Sequence, residues 1–395
     1  LKIKRLPEDF QVEELTAFPA NGGSYALYRL KKRSIGTPEA VDEVVRRWKI
    51  HRHRISYGGL KDKHAVTVQS VTIQRGPRRN LAQKSFELEY LAQAGKPFTP
   101  QEISGNRFAI VLRDLSTEAL AKALDALPQV HTEGLPNYFD DQRFGSVGES
   151  GEFIGRAWCA GDYERALWLA LADPHPDDRS DERGQKQILR EHWDRWRECK
   201  AALDRSHRRS IVTYLADKPP EWPDYRGAFA RIKVDLRGLY LAAFQSCLWN
   251  GILARYLHRE APGGQLIDVP LKLGPAPFFH DLDRETAERF QKAQLPLPSA
   301  RLHLDASNPA QAPVLALIVE VLGEFGLELR QLRVKYPRDS FFSKGQRAVS
   351  VAVGNLAAEA EDDDLYPGRK KLALRFDLPR GSYATILVKR LTEVS

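Results

Sequence analysis

Leu372-Ala373-Leu374-Arg375-Phe376-Asp377-Leu378 places a large apolar residue at every second position, the period of a strand with one buried face. Its place near the end of the chain decides the fold. Phe10-Gln11-Val12-Glu13 and residues 24–30 (SYALYRL) have the same strand character near the start. Thr37-Pro38-Glu39 then supplies an N-cap followed by proline, and Val41, Val44, Val45 and Trp48 continue at helical spacing. Val66-Thr67-Val68 with Val71-Thr72-Ile73, residues 86–91 and residues 107–113 read as further strands, the first of them after the Gly58-Gly59 turn. Ser116 caps a helix with Leu120, Leu124 and Leu127 on one side.

From about residue 150 to 260 the pattern becomes almost purely helical, with residues 162–172 and 191–203 rich in Trp, Arg and Glu. Pro/Gly-rich stretches at 261–278 and 295–313 break it up before another helix at about 314–326, and strand alternation returns only at 372–378, with Ser382 as the cap of a last helix. A chain that begins and ends in mixed character around a helical middle implies an α+β fold: one domain of sheet and helices interrupted by an insertion.

Composition agrees with a folded chain of this kind. At 395 residues, two or three domains and a sizeable core are expected. With 42% hydrophobic and 28% charged residues, collagen-like, coiled-coil and largely disordered chains are excluded. The 60 basic residues exceed the 52 acidic ones and leave a formal charge of +8; nucleic acid leads the polyanionic partners that such a balance favours. Leu1 to Glu8 carries charge with no apolar stretch behind it, unlike a signal peptide. The longest apolar run, residues 312–319, is too short to span a bilayer. A soluble, cytoplasmic protein is the expectation. Cys159, Cys199 and Cys247 are far apart and odd in number, against both a disulfide framework and structural zinc, and reduced, mostly buried thiols are expected.

Two stretches carry the densest chemistry. In Tyr57-Gly58-Gly59-Leu60-Lys61-Asp62-Lys63-His64-Ala65-Val66-Thr67 the glycines allow a sharp turn and close approach to a ligand, and cations beside Asp62 keep its carboxylate ionised. Such an Asp serves as nucleophile, base or metal ligand, and the same residues also fit a surface turn of solvated charges. Asn137-Tyr138-Phe139-Asp140-Asp141-Gln142-Arg143-Phe144-Gly145 combines aromatics, amides and an arginine, the groups a flipped-out base requires, although a loop plugging the core uses them too.

Together these stretches resemble the TruD-type pseudouridine synthases. So do the opening Lys4-Arg5-Leu6-Pro7-Glu8-Asp9-Phe10 and the closing Pro379-Arg380-Gly381-Ser382-Tyr383-Ala384-Thr385, while Ala243-Phe244-Gln245-Ser246-Cys247-Leu248-Trp249-Asn250 looks like a variant of the family's helical AxQSxxFN element, with Trp249 at the usual Phe. The resemblance runs from residue 4 to residue 385 in the family's order. It implies an α+β pseudouridine-synthase core of a mixed or antiparallel sheet with helices, residues 1–154 and 339–395, carrying a large, mainly helical α/β insertion at 155–338. It also implies isomerisation of a uridine in tRNA, typically uridine-13 beside the D-arm, to pseudouridine. By motif position Asp62 would be the catalytic aspartate. Asn137 and Phe139 would shape the uracil pocket, Lys4, Glu8 and Lys61 match charged positions of the active cleft, and Tyr383 falls where an aromatic closes it.

The residue types fit that chemistry. Breaking N1–C1′, turning the base and joining C5 to C1′ needs no redox change, energy input, cofactor or metal. Asp62 supplies the carboxylate, either attacking the sugar or removing the proton that starts glycal formation. Lys61, Lys63 or a distant cation such as Arg143 would keep it charged, and Phe139 would stack on the uracil. tRNA is the expected partner, with no membrane and no DNA. The rival class is a catalytically silent RNA-binding or RNA-folding protein with the pocket but not the reaction. A third reading, a phosphate-cradling loop at Gly58-Gly59, lacks the GxxxxGK[ST] and GxGxxG patterns. His51 and His53 have no carboxylate near them to complete a metal site. Asp362-Asp363-Asp364 reads as a solvated acidic loop, the clusters at 75–79 and 205–209 as phosphate-binding or solvated faces, and Trp193 with Trp196 as helix packing.

Overall fold

The computed structural model describes residues 1–394. They form two compact units: Leu1–Asn137, His280–Gln291 and the chain from Ser350 on make the first, and Tyr138–Phe279 with Lys292–Val349 the second. The fold is α+β, as the two ends of the sequence imply.

The first unit is built on nine strands, β1 (Phe10–Thr16), β2 (Tyr25–Arg33), β3 (Ile55–Tyr57), β4 (Val66–Gln74), β5 (Leu81–Gln83), β6 (Phe86–Ala94), β7 (Ile103–Leu115), β8 (Gly354–Asp362) and β9 (Lys370–Pro379). Their order is β8-β9-β7-β1-β4-β2-β6-β5, with β3 also on β4; β1 and β4 are parallel and the other pairs antiparallel. The C-terminal β9 lies beside β7, so the alternating Leu372, Leu374, Phe376 and Leu378 join a sheet begun by the first residues of the chain, and all four are buried.

Helices cover one face. Thr37–Trp48 sets Ala40, Val41 and Val44 against Ala26, Tyr28, Leu30, Val71 and Ile73, and each valine, leucine or isoleucine so buried is worth about 1.5–3 kcal/mol. Gly36 takes its N-cap position, and Thr37 is its first residue, buried, with a hydroxyl that serves the loop described below. Ser116 caps Thr117–Glu133 as expected, accepting from the Ala119 N–H at 3.0 Å. That helix buries Leu120, Ala123, Ala126 and Val130, whereas Leu124 is exposed, because small residues let it lie close to its neighbours. The last helix, Ala384–Glu393, has Tyr383 as its N-cap without a side-chain cap bond; Ser382 bonds elsewhere.

At one end of the sheet the inward-facing positions turn polar. Tyr28 and Leu30 on β2 are followed in phase by Lys32, Phe10 and Val12 on β1 by Glu14, and Ile73 and Val71 on β4 are preceded by Gln69 and Thr67; all four polar residues are buried. The Asp62 loop lies between β3 and β4. The triple aspartate is not a solvated loop either. Asp363 is buried, and the buried Arg113 donates to Asp9 at 2.9 and 3.0 Å, to Asp363 at 3.0 Å and to Asp364 at 2.9 Å.

The second unit is mainly helical. Its axis is the 27-residue helix Val234–Glu260, which buries Leu241, Phe244, Leu248, Trp249, Ile252 and Leu253. Residues 162–172 hold the helix Tyr163–Leu171, capped by Asp162, whereas 191–203 is broken between the helices Ser180–Glu191 and Trp196–Ala202. The Pro/Gly-rich stretch at 261–278, which interrupts the helices as expected, contains a β-hairpin, Leu266–Leu271 with Gly274–Phe279. Trp193 and Trp196 pack edge to face at 4.9 Å. No helix of the described residues is long and apolar enough to cross a membrane.

Candidate active site

Asp62 sits on the 58–65 loop with its carboxylate divided between two partners. Oδ2 pairs with the Lys4 ammonium, and Oδ1 accepts the His64 N–H at 2.8 Å. Partial burial pushes the pKa up, but the Lys4 hydrogen bond, the His64 amide and the Lys4 charge outweigh it and hold the group below the ordinary carboxylate value. The side chain keeps 29% of its surface exposed, so an ionised carboxylate remains open to a substrate. Lys4 approaches from a left-handed backbone (φ 59°), and its ammonium lies 4.1 Å from the centre of the Phe10 ring. Such a φ costs a non-glycine residue energy that surrounding contacts must outweigh.

The cation on Asp62 is therefore Lys4 rather than a neighbour in sequence. Lys61 turns inward, 3.1 Å from Glu14 Oε1 and 2.8 Å from Asn106 Oδ1. Lys63 points to Glu39 at 3.7 Å, and Arg143 belongs to the second unit, where it donates to the Ser246 hydroxyl at 3.2 Å. Burial raises the Glu14 pKa against the opposing charge of Lys61, and Glu14 Oε2 also accepts the Ser70 N–H at 2.9 Å. Glu8 pairs with Arg33 at the surface, not with Asp62.

The loop's main chain is held as firmly as its carboxylate. Lys32, 1% exposed, donates to the carbonyls of Ile35 (2.8 Å), Asp62 (2.6 Å) and Lys61 (3.3 Å). Burial drives its pKa down to about 8, against the pull of the Asp62 and Glu39 charges. Thr37 Oγ1 accepts the Lys61 N–H at 3.1 Å and donates to Gln69 Oε1 at 2.9 Å, and Gln69 Nε2 donates to the Gly59 carbonyl at 3.2 Å. A Cβ on Gly58 would stand 2.3 Å from Ile103 Cδ1 and 3.0 Å from Phe98 Cε1, so a side chain there would require these buried neighbours to shift; Gly59 has nothing within 4 Å of such a Cβ and no positive φ.

Strand register brings the closing motif to the same end of the sheet. Asn106, the acceptor of Lys61, pairs with Glu14 on β1 and with Leu378 on β9, and the next residue of β9 begins Pro379-Arg380-Gly381-Ser382-Tyr383. Ser382 Oγ lies 3.4 Å from Oδ1 of the buried Asn137, and the half-buried Tyr383 accepts the Ile386 N–H at 3.1 Å on its carbonyl. Asp62, Lys4, Lys61, Asn137 and Tyr383 thus all belong to the first unit.

Phe139 belongs to the second. The Asn250 side chain grips its backbone twice, accepting the Phe139 N–H and donating to the Phe139 carbonyl, each at 2.9 Å. Its half-buried ring meets Trp249 edge-on at 5.8 Å and has the Arg347 guanidinium carbon 4.1 Å from its centre. The segment around Gln245 to Asn250 is helical, as the motif implies, and its Trp249 packs where it supports Phe139. Neighbouring Tyr138 is core, its hydroxyl donating to the Pro277 carbonyl at 2.9 Å. Asp140 is buried, and Asp141 Oδ1 accepts the Lys272 N–H at 2.8 Å, so neither simply faces solvent.

Among the described residues no group of three or more His, Cys, Asp and Glu is placed to hold a metal ion. His51 and His53 stack on each other at 5.4 Å. Burial pushes the thiols of Cys159 and Cys247 up to about 12 and that of Cys199 to about 11, which makes them poor nucleophiles at neutral pH. Lys32 and Arg347 are the residues that the motifs did not contain, and the AxQSxxFN-like element contained Asn250 without showing that it grips Phe139.

An ionised aspartate on a braced loop beside a mixed, mainly antiparallel sheet is an arrangement that can serve carboxylate chemistry on a polar substrate. The profile of the tRNA pseudouridine synthase D (TruD) family matches residues 1–391, and the chain belongs to that family. It is 28% identical to the probable tRNA pseudouridine synthase D 1 of Methanococcus maripaludis, over 100% of both chains. To the tRNA pseudouridine synthase D of Leptospira interrogans it is also 28% identical, over 98% of this chain and 95% of that one. The crystal structure of the TruD protein of Methanosarcina mazei superposes with a TM-score of 0.71 at 26% identity, covering 100% of this chain and 94% of the other. Pseudouridine synthases are isomerases.

Proposed function

We propose that this chain isomerises a uridine of tRNA, uridine-13, to pseudouridine, with Asp62 as the catalytic carboxylate. Family membership supports the reaction class. The observation that carries the assignment to Asp62 is its carboxylate, partly open, kept ionised by Lys4, on a loop whose carbonyls are tied down by Lys32. An ionised oxygen is what either first step consumes: attack on C1′ of the ribose, or removal of the proton that starts glycal formation. With Oδ1 engaged by the His64 amide and Oδ2 by an ammonium, the carboxylate is oriented before substrate arrives, which lowers the cost of reaching the reactive geometry.

In this reading Phe139 stacks on the uracil, and Asn137 shapes the pocket through the Ser382 contact that fixes its side chain. Tyr383 closes over the base and Lys4 is the cation beside the substrate, while Lys61, turned inward to Glu14, and Glu8, paired with Arg33, act at one remove. Residues 155–338 grip the tRNA body. The reaction changes no oxidation state and draws on no energy source, so Asp62 requires no cofactor beside it. The cytoplasm is the compartment this substrate implies.

The test is incubation of the protein with a tRNA transcript, followed by position-resolved mapping of pseudouridine. Conversion at uridine-13 is expected. Tight binding of the transcript with no pseudouridine at any position would leave a silent RNA-binding protein in its place.

A further inference from the structure

The second unit carries a groove of about 570 Å³ lined by Arg301, Arg333, Lys335, Arg338, Phe341 and the buried Phe342. None of its four cations has an ion-pair partner among the described residues. Asp339, the acid of that stretch, is turned away to the buried Arg237, whose Nη1 and Nη2 lie 2.6 and 2.8 Å from its two oxygens. Four like charges around one groove repel one another and attract a polyanion. Phe341 is 70% exposed among them, an aromatic surface left to water beside positive charge. Arg333 and Lys335 also line an adjoining recess of about 420 Å³ with Trp158 and Tyr163, so the positive path continues past the first groove.

Both walls of the groove are fastened to the helix that holds Phe139. The Gln245 amide donates to the carbonyls of Pro298 (3.0 Å) and Ser343 (2.9 Å) and accepts the Ser343 N–H at 3.2 Å, while the Ala300 N–H bonds the Leu332 carbonyl at 3.0 Å. Asn250, which grips Phe139, lies on the same helix about 7.5 Å further along its axis. We infer that this groove binds successive phosphates of a single RNA strand, with Phe341 as a stacking platform for one of its bases. Cations that track a backbone beside an aromatic face are the combination that single-stranded nucleic acid requires. Resting on the proposed function, the inference makes that strand the one carrying the reacting uridine, its flanking phosphates held here while its base lies on Phe139.

The experiment combines Arg333→Gln, Lys335→Gln and Arg338→Gln in one variant and measures tRNA affinity across a salt series. Each phosphate contact on a single strand contributes about 0.7 to the slope of log affinity against log salt, so the slope should become shallower by about 2 and affinity at low salt should fall at least tenfold. Lys96→Gln is the control: its ammonium belongs to the first unit, lines neither the groove nor the adjoining recess and already pairs with Glu102 at 2.6 Å, and it should leave the slope unchanged. Phe341→Ala should weaken binding with no change of slope. Thermal unfolding shows whether the triple variant is folded; if it is not, Arg338→Gln alone should lower the slope by about 0.7. An unchanged slope in a folded triple variant overturns the inference, and the groove is then left to an acidic protein segment. Turnover by the unsubstituted protein is read separately: its absence would sink the proposed function, whereas normal turnover with unaltered slopes would sink only the groove.

Discussion

Replacing Lys32 by methionine keeps the length of the side chain and removes its charge and all three donors. Two opposing effects follow. A pKa held at about 8, against the ordinary 10.5, corresponds to about 3 kcal/mol of penalty on the buried ammonium at neutral pH, and methionine relieves it. The carbonyls of Ile35, Lys61 and Asp62 lose their donor, at about 1–3 kcal/mol each. Midway, the loss is about 6 kcal/mol, and the variant should be about 3 kcal/mol less stable at pH 7. The sign with pH is distinctive. Because the folded pKa lies below the unfolded one, the unfolded chain binds more protons between pH 8 and 10.5, so Lys32 contributes increasing stability as pH rises through that window. The neutral amine still donates two hydrogens to the carbonyls. The gap between parent and variant should therefore widen by up to about 3 kcal/mol from pH 8 to 10.5. Denaturant unfolding at pH 7, 8 and 10 measures it, and single-turnover assays at pH 7 should show a rate about 10²-fold lower with tRNA affinity unchanged, since only the placement of Asp62 is lost. A stability gap that does not move with pH, together with a parent-like rate, would refute the role given to Lys32.

Lys4→Gln removes the cation on Asp62 while burial remains, so the Asp62 pKa should rise and the acid limb of the rate profile should move to higher pH. The parent's carboxylate stabilises the fold above the ordinary aspartate value and loses that contribution as pH falls through its depressed one, so Lys4→Gln should also lose stability at a higher pH than the parent; pH-rate and pH-unfolding series check both. Phe139→Ala should slow single turnover more than Phe139→Leu, by about 1–3 kcal/mol in activation free energy, because base stacking is lost while leucine keeps part of the apolar contact; equal rates would place Phe139 outside base recognition.

The sheet was legible where alternation was clean, as in residues 10–13, 24–30 and 372–378, because a half-buried strand writes its period directly into the sequence. Asp62 was legible through its motif. Lys4 stood in the opening motif, but its pairing with Asp62 was not legible, since 58 positions separate the two and only the fold brings them together. Lys32 did leave a signal: a lysine in phase with Ala26, Tyr28 and Leu30 falls on the buried face, a break in local rules of the kind that functional sites show. Glu14 and Gln69 break phase in the same way on neighbouring strands. Asp363 misled because a run of three acids looks solvated until Arg113 is found against it. The 266–279 hairpin was hidden by three prolines, which composition reads as breakers and which a two-stranded edge tolerates.

Asp62→Asn tests the central claim most directly. It keeps size and hydrogen-bonding capacity while removing the charge and most of the nucleophilicity. Asp140 is buried and cannot serve as a neutral comparison; Asp177→Asn, at a side chain 91% exposed, should retain full turnover. In Asp62→Asn the rate of pseudouridine formation should fall by many orders of magnitude, while tRNA binding changes by no more than about 1 kcal/mol. Pseudouridine formed by this variant at close to the parent rate would contradict the assignment.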